Sequence, residues 1–582
     1  MKLADYVVNY LKKYNIKVVF GYQGSSVAHM IDAISKSEDI VYIQTLHEQA
    51  AAFAANGYSL GGQNIGAALA CSGPGAINLM NGIANAYYDS LPCIFITGQV
   101  STSGIRGKDS RIRQLGFQET DIVSLVSPIT KYAVTIMNKE DIAYQLEKAF
   151  HLMLDGRSGP VVIDIPHNIQ ASMIEPDSLR HFNTECEPEV SCIFDEMEKS
   201  IEILKMAQRP LILLGSGARG LRDTTLLESF LINSNIPVVS SYLGKDILDN
   251  QSNNYVGVIG AYGNRYANWA VKYCDVLLVM GSRVDGRQTG DNIECFACDA
   301  KVIYVNVDID EINEKPVRYY KICSKVFDYF SYVCKNIGEL TWSKEWLNTL
   351  NNWKNRFRHW EEYALSEKSN PNKFIYELTK ENEQKFIMTT DVGQNQIWTN
   401  ASAIIKKDCY LIQSGGLGSM GFALPASIGA YYANPQKEII CICGDGGLQM
   451  NMQELGTITL NNIPIKIIVF NNESLGLIRV YQEKALSSNF EGSVRGFGSP
   501  NFETIAKAYN IEYMKITDNI NADKIQNILK TKSSVLVEVC VSIKSTCYPE
   551  PTYQSTIDNQ SMILEDKEKE RIRLEAYAKK EI

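Results

Sequence analysis

Two short polar motifs, separated by 24 residues, carry the strongest chemical signal in this sequence. Gly444-Asp445-Gly446 closes the apolar run Glu438–Gly444, and Asn471-Asn472 closes the run Ile463–Asn471. If both runs are parallel strands, their carboxyl ends meet at one edge of a sheet, where ligands bind in such folds. Carboxylate and amide oxygens suit Mg²⁺, which bridges phosphate oxygens, and glycines let the backbone approach a diphosphate. The pattern therefore predicts a metal–diphosphate site.

The rest of the sequence favours an α/β protein that can position such motifs. Short β-branched runs, of which Ile40–Gln44 and Val276–Gly281 are examples, alternate with helical patterns along most of the chain. Each run is apolar on both faces and is followed by Gly or a polar turn, which is typical of buried parallel strands flanked by helices.

Two stretches break this pattern and are interpreted as linkers. The first, 171–192, has no clear period, and the second, 340–372, is partly helical. They predict three domains, each a mostly parallel sheet flanked by helices, at 1–180, 190–345 and 365–582. We find no internal sequence repeat. The charged end of the chain, 565–582, is predicted to be a solvated helix.

Composition narrows the class of protein. The chain has 582 residues, with 57 Lys and Arg against 66 Asp and Glu, and this acidic balance does not suggest nucleic acid as a partner. No apolar run approaches the ~18 residues of a transmembrane helix. The 14 cysteines are scattered through a large chain, which favours a reducing compartment. We predict a cytoplasmic enzyme that acts on small molecules.

The spaced motifs resemble the thiamine diphosphate (ThDP) motif of the family that includes acetolactate synthase, pyruvate oxidase and pyruvate decarboxylase. The segment 414–425 resembles that of the acetolactate synthases in particular, and 392–395 resembles the segment that holds the diphosphate. The resemblance implies Mg²⁺ ligands at Asp445, Asn472 and the main-chain carbonyl of Ser474. It also implies a ThDP site made of Val392, Gly393, Gln394, Asn395, Gly418, Met420, Gly444, Asp445, Gly446, Gly447, Asn472, Ser474, Leu475, Gly476 and Leu477.

Glu48 is the second feature that the resemblance makes meaningful. By itself, a Glu at the start of a predicted helix more often serves the helix dipole. The resemblance implies that Glu48 meets N1′ of the ThDP aminopyrimidine and favours its imino form, which removes a proton from the thiazolium, while the cofactor supplies the electron sink. It also implies that Glu48 and Asp445 come from different subunits, so that the enzyme is a homodimer or homotetramer.

Substrate-side residues are implied by the same resemblance. Phe117, Gln118 and Lys131 match positions near the reacting carbons or the substrate channel, although alone Phe117 would be a core residue and Lys131 a surface charge. The predicted substrate pocket comprises Gln23, Gly24, Leu477, Ile478 and Tyr481. Gln23 replaces a usual Pro and Tyr481 a usual Trp. These two changes are the reason for keeping, as an alternative, an acceptor substrate more polar than a 2-oxo acid.

The middle domain carries a glycine turn, Gly215-Ser216-Gly217, right after an apolar strand pattern, which is normally a dinucleotide signal. No acidic residue lies about 20 positions later, which weakens an NAD site. The turn instead resembles that of the acetolactate synthase middle domain, which holds FAD. The implied FAD residues are Arg157, Gly215, Ser216, Gly217, Gly281, Arg283, Asp285, Arg287 and Asp308. Tyr262 and Gly286 depart from a usual His and Asp, which leaves a middle domain without flavin as the alternative.

The resemblance predicts a ThDP- and Mg²⁺-dependent carboligase. It would decarboxylate a 2-oxo acid, pyruvate, and transfer the two-carbon unit to a second carbonyl compound, with a mostly structural FAD. Three alternatives remain open: a keto-sugar nucleotide acceptor that gives a branched-chain sugar, a flavoenzyme of the pyruvate oxidase type, and a non-catalytic homologue. The presence of Glu48, Asp445 and Asn472 argues against the last.

Overall fold

A computed structural model describes the chain except for residues 63, 108, 184–191, 339, 359–369, 519–520, 551–555, 561–563 and 578–582. The described part forms three domains, and each is a six-stranded sheet with only parallel pairings, flanked by helices. This confirms the predicted fold class. The exact domain boundaries stay predictions, and parts of both predicted linkers lie outside the described residues.

The N-terminal sheet has the strand order β2-β1-β3-β4-β6-β5. Its strands are β1 (Val18–Gly21), β2 (Val41–Gln44), β3 (Gly66–Ala70), β4 (Cys93–Gln99), β5 (Tyr132–Thr135) and β6 (Val161–Pro166). Its helices are α1 (Leu3–Lys13), α2 (Ala28–Ser35), α3 (Glu48–Gly62), α4 (Pro74–Asn78), α5 (Met80–Tyr88), α6 (Ile122–Val126), α7 (Ile142–Leu154) and α8 (His167–Ala171). The central strands β3, β4 and β6 are buried along their whole length, because helices cover both faces of the sheet.

The middle sheet has the order β12-β11-β10-β7-β8-β9. Its strands are β7 (Pro210–Leu214), β8 (Val238–Ser240), β9 (Tyr255–Val258), β10 (Val276–Met280), β11 (Lys301–Asn306) and β12 (Tyr320–Cys323). Its helices are α9 (Cys192–Lys205), α10 (Leu226–Ser234), α11 (Arg265–Tyr273), α12 (Gly286–Thr289), α13 (Ile309–Asn313), α14 (Val326–Asn336) and α15 (Lys344–Arg356). From β7 the chain adds β8 and β9 on one side, and then β10, β11 and β12 on the other, while all pairs stay parallel. Ligands of doubly wound folds bind at such a switch point, here between β7 and β10.

The C-terminal sheet has the order β14-β13-β15-β16-β18-β17. Its strands are β13 (Phe386–Thr390), β14 (Tyr410–Gln413), β15 (Glu438–Gly444), β16 (Ile465–Asn471), β17 (Glu512–Ile516) and β18 (Val535–Cys540). Its helices are α16 (Pro371–Glu381), α17 (Gln394–Ser402), α18 (Ala423–Ala433), α19 (Asp445–Met450), α20 (Glu454–Leu460), α21 (Gly476–Ala485), α22 (Phe502–Ala508) and α23 (Ala522–Lys530). The two predicted motif-bearing strands are therefore neighbours, β15 and β16.

Helices α3 and α18 join the N-terminal and C-terminal domains over an extended contact. Small residues make this contact possible, because a Cβ at Gly57 would overlap the backbone of Ala426 and a Cβ at Gly429 would overlap that of Ala54. The two domains consequently share one hydrophobic core. The Ala-rich sequence of α3 is thus explained by close helix packing.

The last described helix, α24 (Asp566–Tyr577), corrects one prediction. It is not fully solvated, since Ile572 and Ala576 are buried against the core of the middle domain. Trp353 of α15 donates a hydrogen bond from Nε1 to Glu575 Oε2 at 2.7 Å. The charged residues of α24 hide this short apolar stripe from a composition-based reading. In the described part of the chain, no helix combines the length and apolarity that crossing a bilayer requires.

Candidate active site

A cavity of about 260 Å³ lies at the carboxyl ends of β13, β15 and β16. It is lined by every residue that the resemblance assigned to ThDP from 392 to 477, together with Trp398, Phe470 and Ile478. Most of these residues come from the ends of the three strands, the turns that follow them and the N-terminal parts of α17, α19 and α21, whereas Gly418 and Met420 come from the loop after β14. Parallel strands thus bring segments more than 80 residues apart to one edge, as the motif spacing predicts.

Asp445 is buried at the start of α19, with its carboxylate turned toward the loop after β16. Ser499 donates a hydrogen bond from Oγ to Asp445 Oδ2 at 2.7 Å. Burial raises the pKa of Asp445 to about 6, although the Ser499 hydroxyl opposes the shift. A bound cation would reverse this effect, because it favours the ionised carboxylate.

Asn472 and Ser474 complete the predicted metal ligands. Asn472 Nδ2 donates to Gln394 Oε1 at 2.9 Å, which fixes the amide, and its oxygen accepts only a long bond of 3.3 Å from Ser474 N. Ser474 Oγ is buried and has no hydrogen-bond partner among the described residues, so it can still bond a ligand. Three oxygen donors around a small cavity fit a hard cation such as Mg²⁺.

One carboxylate is too little for a metal site made by protein alone. Among the described residues no group of three or more His, Cys, Asp or Glu side chains could hold a metal. Mg²⁺ is commonly held by one or two carboxylates together with the phosphates of a substrate or cofactor. The donor set therefore fits a cation that arrives with a diphosphate.

Asp391 is a site residue that sequence reasoning missed. It follows β13, is buried, and accepts hydrogen bonds from Val392 N at 2.8 Å and Gly421 N at 2.9 Å. Its Oδ2 would lie 2.7 Å from a Cβ at Gly447, so three loops of the cavity converge on this carboxylate. Burial raises the pKa of Asp391 to about 7. A lone Asp after a strand looks like an ordinary cap, and the only signal was its place directly before Val392-Gly393.

Glu48 begins α3 in the N-terminal domain, as predicted. Asn78 Nδ2 donates to Glu48 Oε2 at 2.9 Å, and a Cβ at Gly75 would lie 3.0 Å from Glu48 Oε1, a contact that is tight for a side chain. The preceding loop is held by Glu454 of α20, which accepts from Leu46 N at 3.0 Å. Glu48 does not line the 260 Å³ cavity of its own chain. One chain alone therefore does not bring Glu48 and Asp445 together.

Comparison with known proteins gives the family. Three models match the chain: the N-terminal TPP binding domain of thiamine pyrophosphate enzymes at residues 1–125, their central domain at 197–329, and their C-terminal TPP binding domain at 391–539. The acetolactate synthase large subunit of Cyanidium caldarium is 34% identical over 563 residues, covering 93% of this chain and 94% of the relative. The chain belongs to the thiamine pyrophosphate enzyme family. It is therefore a ThDP-dependent enzyme.

Other relatives agree across wide distances. Acetolactate synthase isozyme 2 large subunit of Escherichia coli (strain K12) is 31% identical, with 94% of this chain and 97% of the relative covered. The chloroplastic acetolactate synthase of Arabidopsis thaliana is 33% identical, with 92% and 81% covered. These relatives span nearly the whole chain, so the likeness is not confined to the cofactor motif.

The other substrate-side residues stand apart from the ThDP cavity in the single chain. Phe117 is 86% exposed, and Gln118 adopts a positive φ of 66° beside Gly73. Lys131 donates from Nζ to the main-chain oxygens of Asp155 at 2.5 Å and Arg157 at 2.8 Å. Those contacts hold a loop, so the catalytic role of Lys131 stays a prediction without support from its surroundings.

The predicted substrate pocket is also divided between domains. Gln23 and Gly24 follow β1 of the N-terminal sheet, and Gln23 Oε1 accepts from Gly24 N at 3.2 Å. Leu477 and Ile478 line the ThDP cavity, whereas Tyr481, one turn further along α21, is 62% exposed. In one chain the two halves do not form a single pocket.

The middle domain has a cleft at its β7–β10 switch point. One cavity of about 490 Å³ is lined by Arg157, Ser216, Gly217, Gly281 and Arg283, and an adjoining one of about 80 Å³ by Ser216, Arg283, Asp285 and Arg287. Gly215 and Gly217 let the backbone pass directly over Gly281, and Gly217 N donates to Gly281 O at 2.9 Å.

The chemistry of this cleft suits a dinucleotide. Its guanidinium groups can bind a diphosphate by charge-assisted hydrogen bonds, and within the described part of the chain Arg219 Nε is buried without a hydrogen-bond partner. Asp308 is not at the cleft floor but accepts from Arg157 Nη1 at 3.0 Å, joining the N-terminal and middle domains. Tyr262 lines the smaller cavity, and a Cβ at Gly286 would touch nothing within 4 Å. The departure at Gly286 is therefore not imposed by packing.

Proposed function

We propose that this enzyme is an acetolactate synthase: it decarboxylates pyruvate and transfers the two-carbon unit to a second 2-oxo acid, pyruvate or 2-oxobutyrate. The observation that carries the proposal is the proposed ThDP cavity, whose lining includes every residue that the resemblance assigned to ThDP between 392 and 477. The names of relatives that cover more than 90% of the chain support it. They favour it over a keto-sugar acceptor, a pyruvate oxidase activity and a non-catalytic role.

In this proposal the C-terminal domain holds the cofactor and the metal. Asp445, Asn472 and the carbonyl of Ser474 would ligate Mg²⁺ together with the diphosphate of ThDP. Bound ThDP supplies an electron sink for the carbanion that decarboxylation creates. Met420 and Leu475, whose side chains both lie beside Gly446, would support the organic part of the cofactor.

The proposal requires two chains per site. Glu48 is only partly buried and lies outside its own chain's cavity, and Phe117 is almost fully exposed. In a homodimer or homotetramer these residues would close the cavity of a second copy. Glu48, oriented by Asn78, would then hydrogen-bond the aminopyrimidine of ThDP and control its protonation. A second copy would also exclude water from the reaction.

FAD in the middle-domain cleft is part of the same proposal. The close glycine crossing, the arginines and the unpartnered Arg219 Nε support a diphosphate-containing ligand there. Asp285 Oδ1 accepts a hydrogen bond from the main-chain N of Arg287, two residues further along, at 2.9 Å, and would fix the loop that covers the ligand. The flavin would be mostly structural. A cytoplasmic location likewise remains our prediction.

The test is product analysis by mass spectrometry, using the purified chain with ThDP, Mg²⁺, FAD and pyruvate, alone or with 2-oxobutyrate or a keto-sugar nucleotide. We expect acetohydroxy acids. Glu48→Gln should reduce the rate by about 10²–10⁴-fold, the usual contribution of a positioned proton-transfer group.

Glu345→Gln is the matched control, because Glu345 is an exposed residue in the first turn of another helix. It should keep wild-type activity. Product formed only with the keto-sugar nucleotide would replace the proposed acceptor. Unchanged activity in Glu48→Gln would refute the proposed role of Glu48.

A further inference from the structure

A further cavity, of about 260 Å³, lies between the middle and C-terminal domains. We call it the lysine cavity and define it by Lys245, Tyr255, Asn264, Lys354, Tyr376 and Ser402, which are among its lining residues. It shares no lining residue with the ThDP cavity or the flavin cleft. Its size lies just below the range typical of drug-sized ligands, so it suits a smaller one.

Lys245 lines this cavity with no counter-charge. It is 4% exposed, and within the described part of the chain its Nζ makes no hydrogen bond or ion pair. Its neighbour Asp246 is turned the other way, accepting from Arg222 Nη1 at 3.0 Å and Leu411 N at 3.2 Å. A buried lysine is rare unless it is paired, so an unpaired one needs an explanation.

Lys354 of α15, which is partly buried, contributes the second ammonium of the cavity. It donates from Nζ to Tyr255 O at 2.7 Å. Lys245 Nζ lies 5.8 Å and Lys354 Nζ 5.6 Å from the centroid of the same Tyr255 ring. The two cations therefore share one small, poorly solvated space.

The two ammonium groups are unfavourable to each other in this buried space. Burial, together with the charge of Lys354, lowers the pKa of Lys245 to about 7, and burial lowers the pKa of Lys354 to about 8. No Asp or Glu lines the cavity among the described residues. An anion between the ammonium groups would remove this penalty.

We propose that the lysine cavity binds a small oxyanion, a phosphate or carboxylate group, through the ammonium groups of Lys245 and Lys354. The shared chemistry is charge-assisted hydrogen bonding from two cations in a low-dielectric space. The proposal does not depend on the activity, because the cavity is separate from the ThDP cavity and the flavin cleft.

The direct test is equilibrium dialysis of radiolabelled inorganic phosphate against the holoenzyme, saturated with ThDP, Mg²⁺ and FAD, at pH 6.5 and constant ionic strength. Saturating cofactors keep phosphate from the other diphosphate sites. We expect one saturable phosphate per chain, at least 10-fold weaker binding in Lys245→Met and in Lys354→Met, and unchanged binding in the exposed control Lys507→Met. Methionine keeps the apolar length of lysine without its charge.

Competition by succinate identifies the source of the oxyanion. Displacement of phosphate supports a site that also takes carboxylates, and lack of displacement supports one selective for phosphate. No saturable binding, or equal binding in wild type and Lys245→Met, would overturn the proposal.

Thermal melting gives an independent measurement that reports folding at the same time. Phosphate should raise the melting temperature of the wild-type holoenzyme by about 2–4 °C. Lys245→Met should melt higher than wild type without phosphate, since an unpaired buried charge is gone, and should not respond to phosphate. An equal phosphate response in both proteins would contradict the site.

Discussion

The N-terminal and C-terminal domains share one strand order, but they shift the pKa values of two equivalently placed carboxylates in opposite directions. β6 and β18 occupy the same place in their sheets, and Asp164 and Glu538 are each the fourth residue of their strand. An amide on the neighbouring central strand donates to each: Gln99 Nε2 to Asp164 Oδ2 at 3.2 Å, and Asn471 Nδ2 to Glu538 Oε1 at 2.8 Å.

The neighbour on the edge strand makes the difference. In register with Asp164 stands Thr135, and in register with Glu538 stands Lys515. Burial among neutral donors raises the pKa of Asp164 to about 7. Burial also acts on Glu538, but hydrogen bonds from Tyr513 and Asn471 and the charge of Lys515 outweigh it and lower its pKa. Topology is therefore shared, while the local partners decide the chemistry.

The same division applies to the proposed active site. The loop after β2 of the N-terminal domain leads into Glu48, whereas the loops after β15 and β16 of the C-terminal domain carry the proposed metal ligands. A common fold thus supplies a proton-transfer group on one side and a diphosphate cradle on the other.

The largest expected effect sharpens this division. Asp445→Asn removes the carboxylate charge from the metal site, so ThDP and Mg²⁺ should bind more than ~100-fold more weakly, beyond the 10–100-fold typical of outer contacts. Quenching of Trp398, which lines the cavity, measures the binding. Asp566→Asn, a fully exposed control, should bind like wild type. Loss of catalysis with intact cofactor binding would instead give Asp445 the role proposed for Glu48.

A smaller effect is expected from the residue that orients Asp445. Ser499→Ala removes the hydroxyl that donates to Asp445 Oδ2 and also lies 3.2 Å from Asn471 Oδ1. We expect about 10–100-fold weaker Mg²⁺ affinity, measured by activation of the ThDP-loaded enzyme over a Mg²⁺ titration. Ser499→Thr keeps the hydroxyl and should recover most of that affinity. Equal losses in both variants would point to packing as the cause.

The smallest effect breaks or confirms the electrostatic comparison itself. Asp164 holds its proton more tightly folded than unfolded, so its contribution to stability falls as pH rises from about 4 to 7. The melting temperature of Asp164→Asn, measured by calorimetry, should therefore rise relative to that of wild type as pH increases from about 4 to 7. The expected relative rise is at least about 2–4 °C.

Glu538 should behave in the opposite sense. Its lowered pKa gives stability that is present above the unfolded value of 4.5 and is lost as pH falls through the folded pKa. Glu538→Gln should melt below wild type at pH 7, and the difference should shrink toward pH 4. The comparison fails if both variants shift in the same direction.

Much of the C-terminal site was predictable because its motifs lie at strand ends. The sequence predicts a strand at Ile463–Asn471 and the structure has one at Ile465–Asn471. The strand end places Asn472 and Ser474 in the turn that lines the cavity. The shared strand order was not predictable, since the two domains show no sequence repeat and strand order depends on long-range pairing. Asp391 and the buried face of α24 were missed for a similar reason, because their partners are distant in sequence.

The most direct test of the two-chain site is complementation. Glu48→Gln and Asp445→Asn chains carry different tags, are co-expressed, and their mixed dimers are assayed for acetolactate formation. If Glu48 of one chain serves Asp445 of the other, each mixed dimer keeps one of its two sites intact, so that isolated mixed dimers should show about half of wild-type activity and the unfractionated random mixture about one quarter. Activity no higher than that of either variant alone would contradict the account.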